Sequence, residues 1–300
     1  MTAAPSLLSP RIALSFGLVT LIWGSTWIVI RDQLGAVPPS WSVTYRFGVA
    51  AIAMFLIVAL RREPLMLRGR AWGFAVLLGV AQFGFNFNFV YRAEAFITSG
   101  LVAVLFALLI VPNTLLGRVF LGTAIERRFV FGGGIALLGV AMMIVHEVGA
   151  AERGLAAVLA GTGLTLAGVL SASAANVMQG STLARSQPMV TMVAWAMLFG
   201  TLANAAFALA TSGAPVWETR AGYWAGVVYL GVIGSAVTFP LYFGIIRAVG
   251  PGPAAWSGVL VPIIAMGFST LLEGYVWSPL SIAGGLIALT GMMVALRRVR

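Results

Sequence analysis

The side chains that could do chemistry in this chain are amides, hydroxyls and a guanidinium set inside long apolar runs. Asn86 follows Gln82 by four residues within one such run, so the two amides share a face of the predicted helix. Arg46 lies within another apolar run. Amides and charges in an apolar environment are costly unless they are bonded or used for binding. These positions therefore mark where a polar ligand would be held.

Other polar and aromatic side chains lie at a similar depth in the apolar runs, and this larger group includes Trp27 and Phe239. Hydrogen-bonding groups without fixed charge suit a zwitterion, and rings suit an aromatic side chain. Each residue also has a structural interpretation, because amides bind helices together and hydroxyls bond back to their own helix. The predicted substrate-binding residues are Trp23, Thr26, Gln82, Asn86, Phe106, Asn176, Ser235, Tyr242 and Trp256.

Arg46 has two interpretations. It would draw a substrate carboxylate inward or form a gate with Asp32. Alternatively, it forms a purely structural ion pair with Asp32 or Glu94 at a similar depth. We expect the structural pair, and we retain Arg46 and Asp32 as candidates for a gate or a carboxylate contact.

The acidic residues fall at the ends of the apolar runs, and so does the single histidine, His146. A proton-coupled carrier usually needs a carboxylate or a histidine near the middle of the membrane. The sequence therefore predicts that the protein has no buried proton relay. It also predicts no cofactor and no metal, because the chain has no cysteine and no clustered ligands.

The composition defines the elements that position these residues. The chain has 300 residues, of which 60% are hydrophobic and 9% are charged, and its mean hydropathy is +1.01. Soluble domains carry roughly 25% charged residues, so an integral all-α membrane protein is expected. The net charge of +10 does not indicate nucleic acid, because the arginines flank apolar runs instead of forming one basic face.

Ten apolar runs are long enough to be predicted as membrane-spanning helices of about 20 residues. Most of the 18 basic residues lie in linkers on one side, which places both termini in the cytoplasm. We expect a multi-pass protein of a bacterial inner membrane. The predicted spans are 12–32, 41–60, 71–91, 97–116, 129–146, 154–178, 188–210, 221–246, 253–272 and 279–296.

The two halves of the chain repeat at a spacing of about 150 residues. Pro112 in the fourth span corresponds to Pro262 in the ninth, and GGGIALLGVAMM in the fifth corresponds to IAGGLIALTGMM in the tenth. The repeats are predicted over 11–147 and 154–300. Since each holds five spans, the second is inverted relative to the first, and a binding site is expected between them near the midplane.

These residues resemble the drug/metabolite transporter superfamily, in its EamA-type branch. One half carries WGST at 23–26, Arg46, a Thr-Ser pair at 98–99 and Pro112, and the other carries 247–262 and Glu273. Thr123 stands where this family usually has an acidic residue, which looks like a structural element at a helix end. The resemblance implies a ten-helix exporter of small metabolites, most similar to exporters of aromatic amino acids.

The sequence therefore favours an alternating-access carrier that exports neutral or aromatic amino acids or similar amphiphiles. The alternative is a multidrug efflux pump for lipophilic cations, which predicts a deep carboxylate facing aromatic rings. A membrane enzyme would need catalytic residues clustered at one interface, and a channel would need rings of charge. The expected partners are a small-molecule substrate and the lipid bilayer, and we expect a monomer, with an oligomer as the alternative.

Overall fold

The computed structural model describes residues 9–35, 37–125, 127–150, 154–255 and 257–296, and these residues form helices joined by short connections, without a strand. The long helices are α1 (Pro10–Asp32), α2 (Pro39–Leu60), α3 (Ala71–Ala93), α4 (Ser99–Leu121), α5 (Arg127–Ala150), α6 (Gly154–Gln179), α7 (Met189–Ser212), α8 (Ala221–Val249), α9 (Ser257–Leu272) and α10 (Pro279–Leu296). Short helical turns at Thr182–Arg185 and Pro251–Ala254 precede α7 and α9.

Seven of these helices are long and apolar enough to cross a membrane: α1, α2, α3, α4, α6, α7 and α8. Shorter apolar stretches occupy α5 (Val130–Met143), α9 (Leu260–Leu272) and α10 (Pro279–Gly291). Large apolar side chains are exposed along the outer surfaces of the helices, as at Leu14 and Leu138. Such a surface suits lipid as its solvent. The all-helical fold of the described residues confirms the predicted all-α class, while the number of ten spans remains a prediction.

The helix contacts repeat between the two halves of the chain. Helix α1 packs against α9, and its counterpart α6 packs against α4. Helix α2 packs against α8, and its counterpart α7 packs against α3. The pairs α2–α7 and α5–α10 join equivalent helices of the two halves. Each half is therefore packed into the other instead of folding as a separate unit.

Small residues permit the closest of these contacts. In the α5–α10 pair, Gly139 faces the backbone of Gly284 and Ala288, and Gly291 faces the backbone of Ala136. A side chain at any of these glycines would strike the opposite helix. Interfaces of this kind bring helices together through dispersion and backbone proximity, because apolar burial gives little advantage in lipid.

Three of the helices depart from α-helical geometry near the centre of the molecule. Helix α3 contains a π-helical segment at Gly79–Phe85, and α8 contains one at Tyr229–Val237. Helix α4 contains a 3₁₀ turn at Ala107–Leu109, which lies just before Pro112. Proline lacks the N–H that would bond the carbonyl four residues back, which accounts for this turn. The π segments start 150 residues apart, at the spacing of the sequence repeat.

Candidate binding cavity

A cavity of about 100 Å³ lies among seven of the helices: α1, α2, α3, α4, α6, α8 and α9. A single buried water needs roughly 10–15 Å³, so this space admits several waters or a small ligand. Most of its wall is apolar or aromatic. The residues at the wall are Trp23, Thr26, Trp27, Ile30, Arg46, Gln82, Asn86, Phe87, Val90, Ala103, Phe106, Leu109, Ala172, Asn176, Phe239, Tyr242, Ala255, Ser257, Gly258 and Val261.

Arg46 is the cation of this wall, and its side chain is held in place from several sides. Its Nε donates a hydrogen bond to Ser235 Oγ at 3.1 Å, and its Cζ lies 4.3 Å from the ring centroid of Phe87. The π segment of α8 brings Gly231 against Arg46, where a Cβ would lie 2.8 Å from the Arg46 carbonyl oxygen. Arg46 is 1% exposed, and its Nη1 has no hydrogen-bond partner among the described residues. This donor is available to a ligand.

Three more polar atoms at the wall are buried without a partner among the described residues. Gln82 Oε1 and Asn86 Oδ1 are acceptors on α3, and Trp27 Nε1 is a donor on α1. Gln82 lies inside the π segment, and Asn86 follows immediately after it. An unpaired polar atom in a dry interior costs about 1–3 kcal/mol, so a ligand that bonds to these atoms recovers that free energy.

Aromatic rings form the remainder of the wall. The Trp23 ring lies 5.3 Å from the Phe239 centroid and 4.8 Å from the Tyr242 centroid, edge to face in both cases. The Trp23 indole N–H donates to the Gly234 carbonyl at 3.2 Å, so this ring is fixed in orientation. Trp27 packs against Phe106 at 5.3 Å. The cavity thus joins ring surfaces to a small number of directed polar atoms.

One end of the cavity is closed by side chains that we call the amide end: Asn113, Asn176, Gln179 and Arg247. Asn176 Nδ2 donates to Asn113 Oδ1 at 3.5 Å. One turn beyond Asn176, Gln179 Oε1 accepts from Arg247 Nη2 at 3.1 Å and from Arg247 Nε at 3.3 Å. Arg247 Nη1 also donates to the Gln187 carbonyl at 3.2 Å.

The opposite end is closed by side chains that we call the carboxylate end: Arg31, Glu94, Ser99, Ser269 and Glu273. Arg31 follows the wall residue Ile30, and its Nε lies 3.6 Å from Glu273 Oε1. Arg31 Nη1 also donates to the Glu94 backbone carbonyl. Ser99 and Ser269 both donate to Glu273 Oε2. These bonds tie α1 and the start of α4 to the end of α9.

The structure brings most of the predicted substrate-binding residues to this cavity. Those at its wall are Trp23, Thr26, Gln82, Asn86, Phe106, Asn176 and Tyr242, together with Arg46. Ser235 lies behind Arg46 and positions it, and Trp256 lies outside the described residues. Thr26 also bonds back to the Trp23 carbonyl at 2.8 Å, as the structural interpretation anticipated.

The expected pair of Arg46 and Asp32 needs correction. Asp32 Oδ1 lies 3.3 Å from Arg220 Nη1, and the Asp32 side chain is 60% exposed. Arg220 lies in the connection before α8, so Asp32 pairs with an arginine far along the chain instead of with Arg46. The other suggested partner, Glu94, is attracted electrostatically by Arg46. It was expected at a membrane interface, but the structure shows it 0% exposed.

The wall also contains residues that were absent from the predicted set. Phe87 supports the Arg46 guanidinium, and Ile30 and Val90 connect the cavity to the carboxylate end. Apolar residues in a membrane helix look alike whether they face lipid or a cavity, so the sequence contained no signal for them. Among the described residues, no group of three metal-ligating side chains occurs.

Apolar helices that enclose a central cavity with closures at both ends define a membrane transport protein. The sequence profile of the EamA-like transporter family matches residues 11–145 and 159–297, so the chain belongs to this family and is a multi-pass integral membrane protein. This confirms the branch of transporters that the sequence motifs indicated. The two matched stretches each correspond to one half of the chain.

Curated relatives and a solved structure are similar to this chain. The chain is 27% identical over 136 residues to Protein PagO of Salmonella typhimurium, which covers 45% of each protein. It is 22% identical to a probable amino-acid metabolite efflux pump of the same organism, over 92% of each. One solved crystal structure superposes with a TM-score of 0.70 at 21% identity, covering 95% of this chain and 96% of its own, which shows the fold.

Proposed function

We propose that this transporter exports zwitterionic amphiphiles, and specifically neutral or aromatic amino acids, by alternating access. The observation that supports the substrate class is the set of four unpartnered polar atoms in one cavity. Arg46 Nη1 and Trp27 Nε1 are donors, and Gln82 Oε1 and Asn86 Oδ1 are acceptors. A carboxylate needs donors and an ammonium group needs acceptors, so the set complements an amino acid backbone.

The ring surfaces support an apolar or aromatic side chain on that substrate. Trp23, Phe106, Phe239 and Tyr242 offer edges and faces at the separations at which aromatic groups pack. The name of the Salmonella relative, a probable amino-acid metabolite efflux pump, points to the same chemistry. A lipophilic cation is disfavoured, because the guanidinium of Arg46 would repel it in a site of low polarity.

The repeated packing of the two halves supports the proposal of alternating access. We propose ten spans in two inverted five-helix halves, with both termini in the cytoplasm and the binding cavity between the halves. The cavity is closed by different bonds at its two ends, so one set can break while the other holds. The carboxylate end then faces outward and the amide end inward. The chain carries all the helices that form the cavity, so we propose a functional monomer.

The test uses three ligands that divide the amino acid into its parts. Counterflow into proteoliposomes is measured with labelled phenylalanine, and inhibition is measured with phenethylamine, which lacks the carboxylate, and with 3-phenylpropionate, which lacks the amine. We expect phenylalanine to be transported saturably and both analogues to bind more weakly. If only phenethylamine or another lipophilic cation is transported, the proposal is wrong and the efflux-pump alternative gains support.

Two variants assign the groups of the substrate to the groups of the cavity. Arg46→Gln should weaken binding of phenylalanine and 3-phenylpropionate about tenfold to a hundredfold, the value of one charge-assisted hydrogen bond. The same variant should strengthen binding of phenethylamine, because the repelling charge is gone. Asn86→Leu should weaken phenylalanine and phenethylamine and leave 3-phenylpropionate unaffected. Equal losses for all three ligands in either variant would contradict the proposed orientation.

A further inference from the structure

Glu94 is a buried carboxylate that the proposed transport mechanism does not use. It follows directly after α3, is 0% exposed, and neither of its carboxylate oxygens has a hydrogen-bond partner among the described residues. An ionised carboxylate without partners in a dry site is very unfavourable, whereas the protonated acid is tolerated. The burial therefore indicates a proton on Glu94 in this conformation.

The charged and titratable groups around Glu94 come from each helix packed at this end. Glu273 repels the negative charge of Glu94, and Arg31 and Arg46 attract it. Tyr91 also interacts with Glu94 electrostatically. The other ionisable side chains nearby are engaged with different partners: Arg92 with Asn88 and Ser40, Asp32 with Arg220, and His146 with Ser278 and the Val276 carbonyl.

The two carboxyl groups of this end have different surroundings. Glu273 accepts hydrogen bonds from Ser99 and Ser269 and pairs with Arg31, so its negative charge is stabilised. Glu94 has no such donors, and Arg31 reaches only its backbone carbonyl. Two neighbouring carboxyl groups seldom both ionise in a site of low polarity, and Glu94 is the one whose surroundings favour the protonated form. Burial, and then the charge of Glu273, raise the pKa of Glu94 well above its ordinary value.

This carboxyl group lies where the two halves of the chain separate. The carboxylate end joins α1, α3 and α4 of the first half to α9 of the second. Separation of the halves at this end would bring water to Glu94 and lower the cost of its ionised form. Its affinity for a proton must then differ between the closed and the open conformations.

We propose that Glu94 is a proton-binding site that closes the carboxylate end when it is protonated and favours opening when it is ionised. This inference builds on the proposed alternating-access function and departs from the sequence prediction of a carrier without a buried proton site. The closed form binds the proton more tightly, so acid stabilises closure. That stabilisation is lost as the pH rises through the raised pKa of Glu94.

The sign of this linkage fits an exporter. After the substrate leaves through the open carboxylate end, a proton from the same side binds Glu94 and favours closure. The empty carrier then returns with its proton, and the amide end opens. Because Glu94 gives up its proton only when the carboxylate end opens again, the proton returns to the side from which it came, and acid on that side assists the resetting step without net proton movement.

The test measures opening directly, without substrate, so that it does not depend on the amino acid proposal. The chain has no cysteine, so two cysteines can be introduced for spin labels, at Phe96 beyond α3 and at Leu272 at the end of α9, which are 42% and 65% exposed. Distances between the labels are measured by pulsed electron paramagnetic resonance in nanodiscs, from about pH 5 to about pH 9. We expect a short distance at low pH and a growing longer-distance population as the pH rises.

Variants identify the group that titrates. Glu94→Gln should hold the short distance at every pH, and Glu273→Gln should move the midpoint to lower pH, because the repelling charge is gone. Glu218 is a carboxyl group in the connection before α8, and Glu218→Gln should behave like the unaltered chain. His146→Gln should do the same.

Three outcomes would overturn the proposal: wild-type distances that do not change with pH, a midpoint that is lost in His146→Gln, and a midpoint that survives in Glu94→Gln. Failure of phenylalanine transport with an intact distance response would overturn only the proposed substrate.

Discussion

The two ends of the cavity occupy equivalent places in the two halves, but they are closed by different chemistry. At the amide end, Arg247 bonds to a neutral amide and a backbone carbonyl. At the carboxylate end, Arg31 pairs with Glu273 and donates to the Glu94 backbone carbonyl, while the Glu94 carboxyl group is buried without donors. The closure at the amide end is a set of hydrogen bonds from a guanidinium to neutral acceptors, while the closure at the carboxylate end contains a buried carboxyl group without donors.

The two ends of the cavity also differ in the residue that follows the helix ending there, which is α9 at the carboxylate end and α4 at the amide end. Glu273 at the end of α9 has Thr123 as its counterpart at the end of α4, 150 residues earlier. Glu273 is engaged with Arg31 and two serines, whereas Thr123 is exposed beyond the C-terminal Gly122 of α4. A duplicated framework has therefore kept its packing and changed its closing groups. We expect the two ends to respond differently to pH, and the following variants test this.

The largest effect is expected at the amide end. Arg247→Met leaves the Gln179 Oε1 atom buried without a donor, which should cost about 1–3 kcal/mol of stability. Thermal unfolding in nanodiscs should show a lower melting temperature, with the same decrease at acidic and at neutral pH because the acceptors of these bonds are neutral. The double variant Arg247→Met/Gln179→Met removes both partners and should recover most of the loss. A decrease that varies between acidic and neutral pH, or no recovery in the double variant, would contradict a closure made by hydrogen bonds from a guanidinium to neutral acceptors.

A smaller effect is expected from Arg31→Gln at the carboxylate end. The positive charge of Arg31 opposes the rise in the pKa of Glu94, so its removal should raise that pKa further and move the opening midpoint to higher pH. The Arg31 side chain is 42% exposed, so the shift should be modest. The same distance measurement reports it, and the sign should be opposite to that of Glu273→Gln. Arg220→Gln, which removes a cation that pairs with Asp32, should leave the midpoint unchanged.

The residues of the cavity could be predicted from the sequence more completely than the residues that close its ends, for physical reasons. Gln82, Asn86 and Arg46 were predictable because polar groups in apolar runs are rare and costly. The π segments could not be predicted, because they depend on contacts between helices, such as the contact of Gly231 in α8 with Arg46 in α2. Glu94 was expected at an interface because it ends an apolar run. Whether such a residue meets water depends on what packs over it, and here residues from α1 and α9 cover this end.

The smallest effect is expected from Thr123→Glu, which restores the acidic residue that the family resemblance led us to expect. Thr123 is exposed and its backbone N–H already bonds to the Gly117 carbonyl at 3.3 Å. A glutamate there would be hydrated and ionised throughout the neutral range, so it would bind no proton that the motion could release. The melting temperature should change little, because most surface substitutions change the free energy of unfolding by about 0.5 kcal/mol or less. With spin labels placed across the amide end, the distances should remain independent of pH. If this variant instead acquires a pH response, sequence position alone would be enough to create a proton-sensitive closure, and the burial of Glu94 would not be the feature that matters.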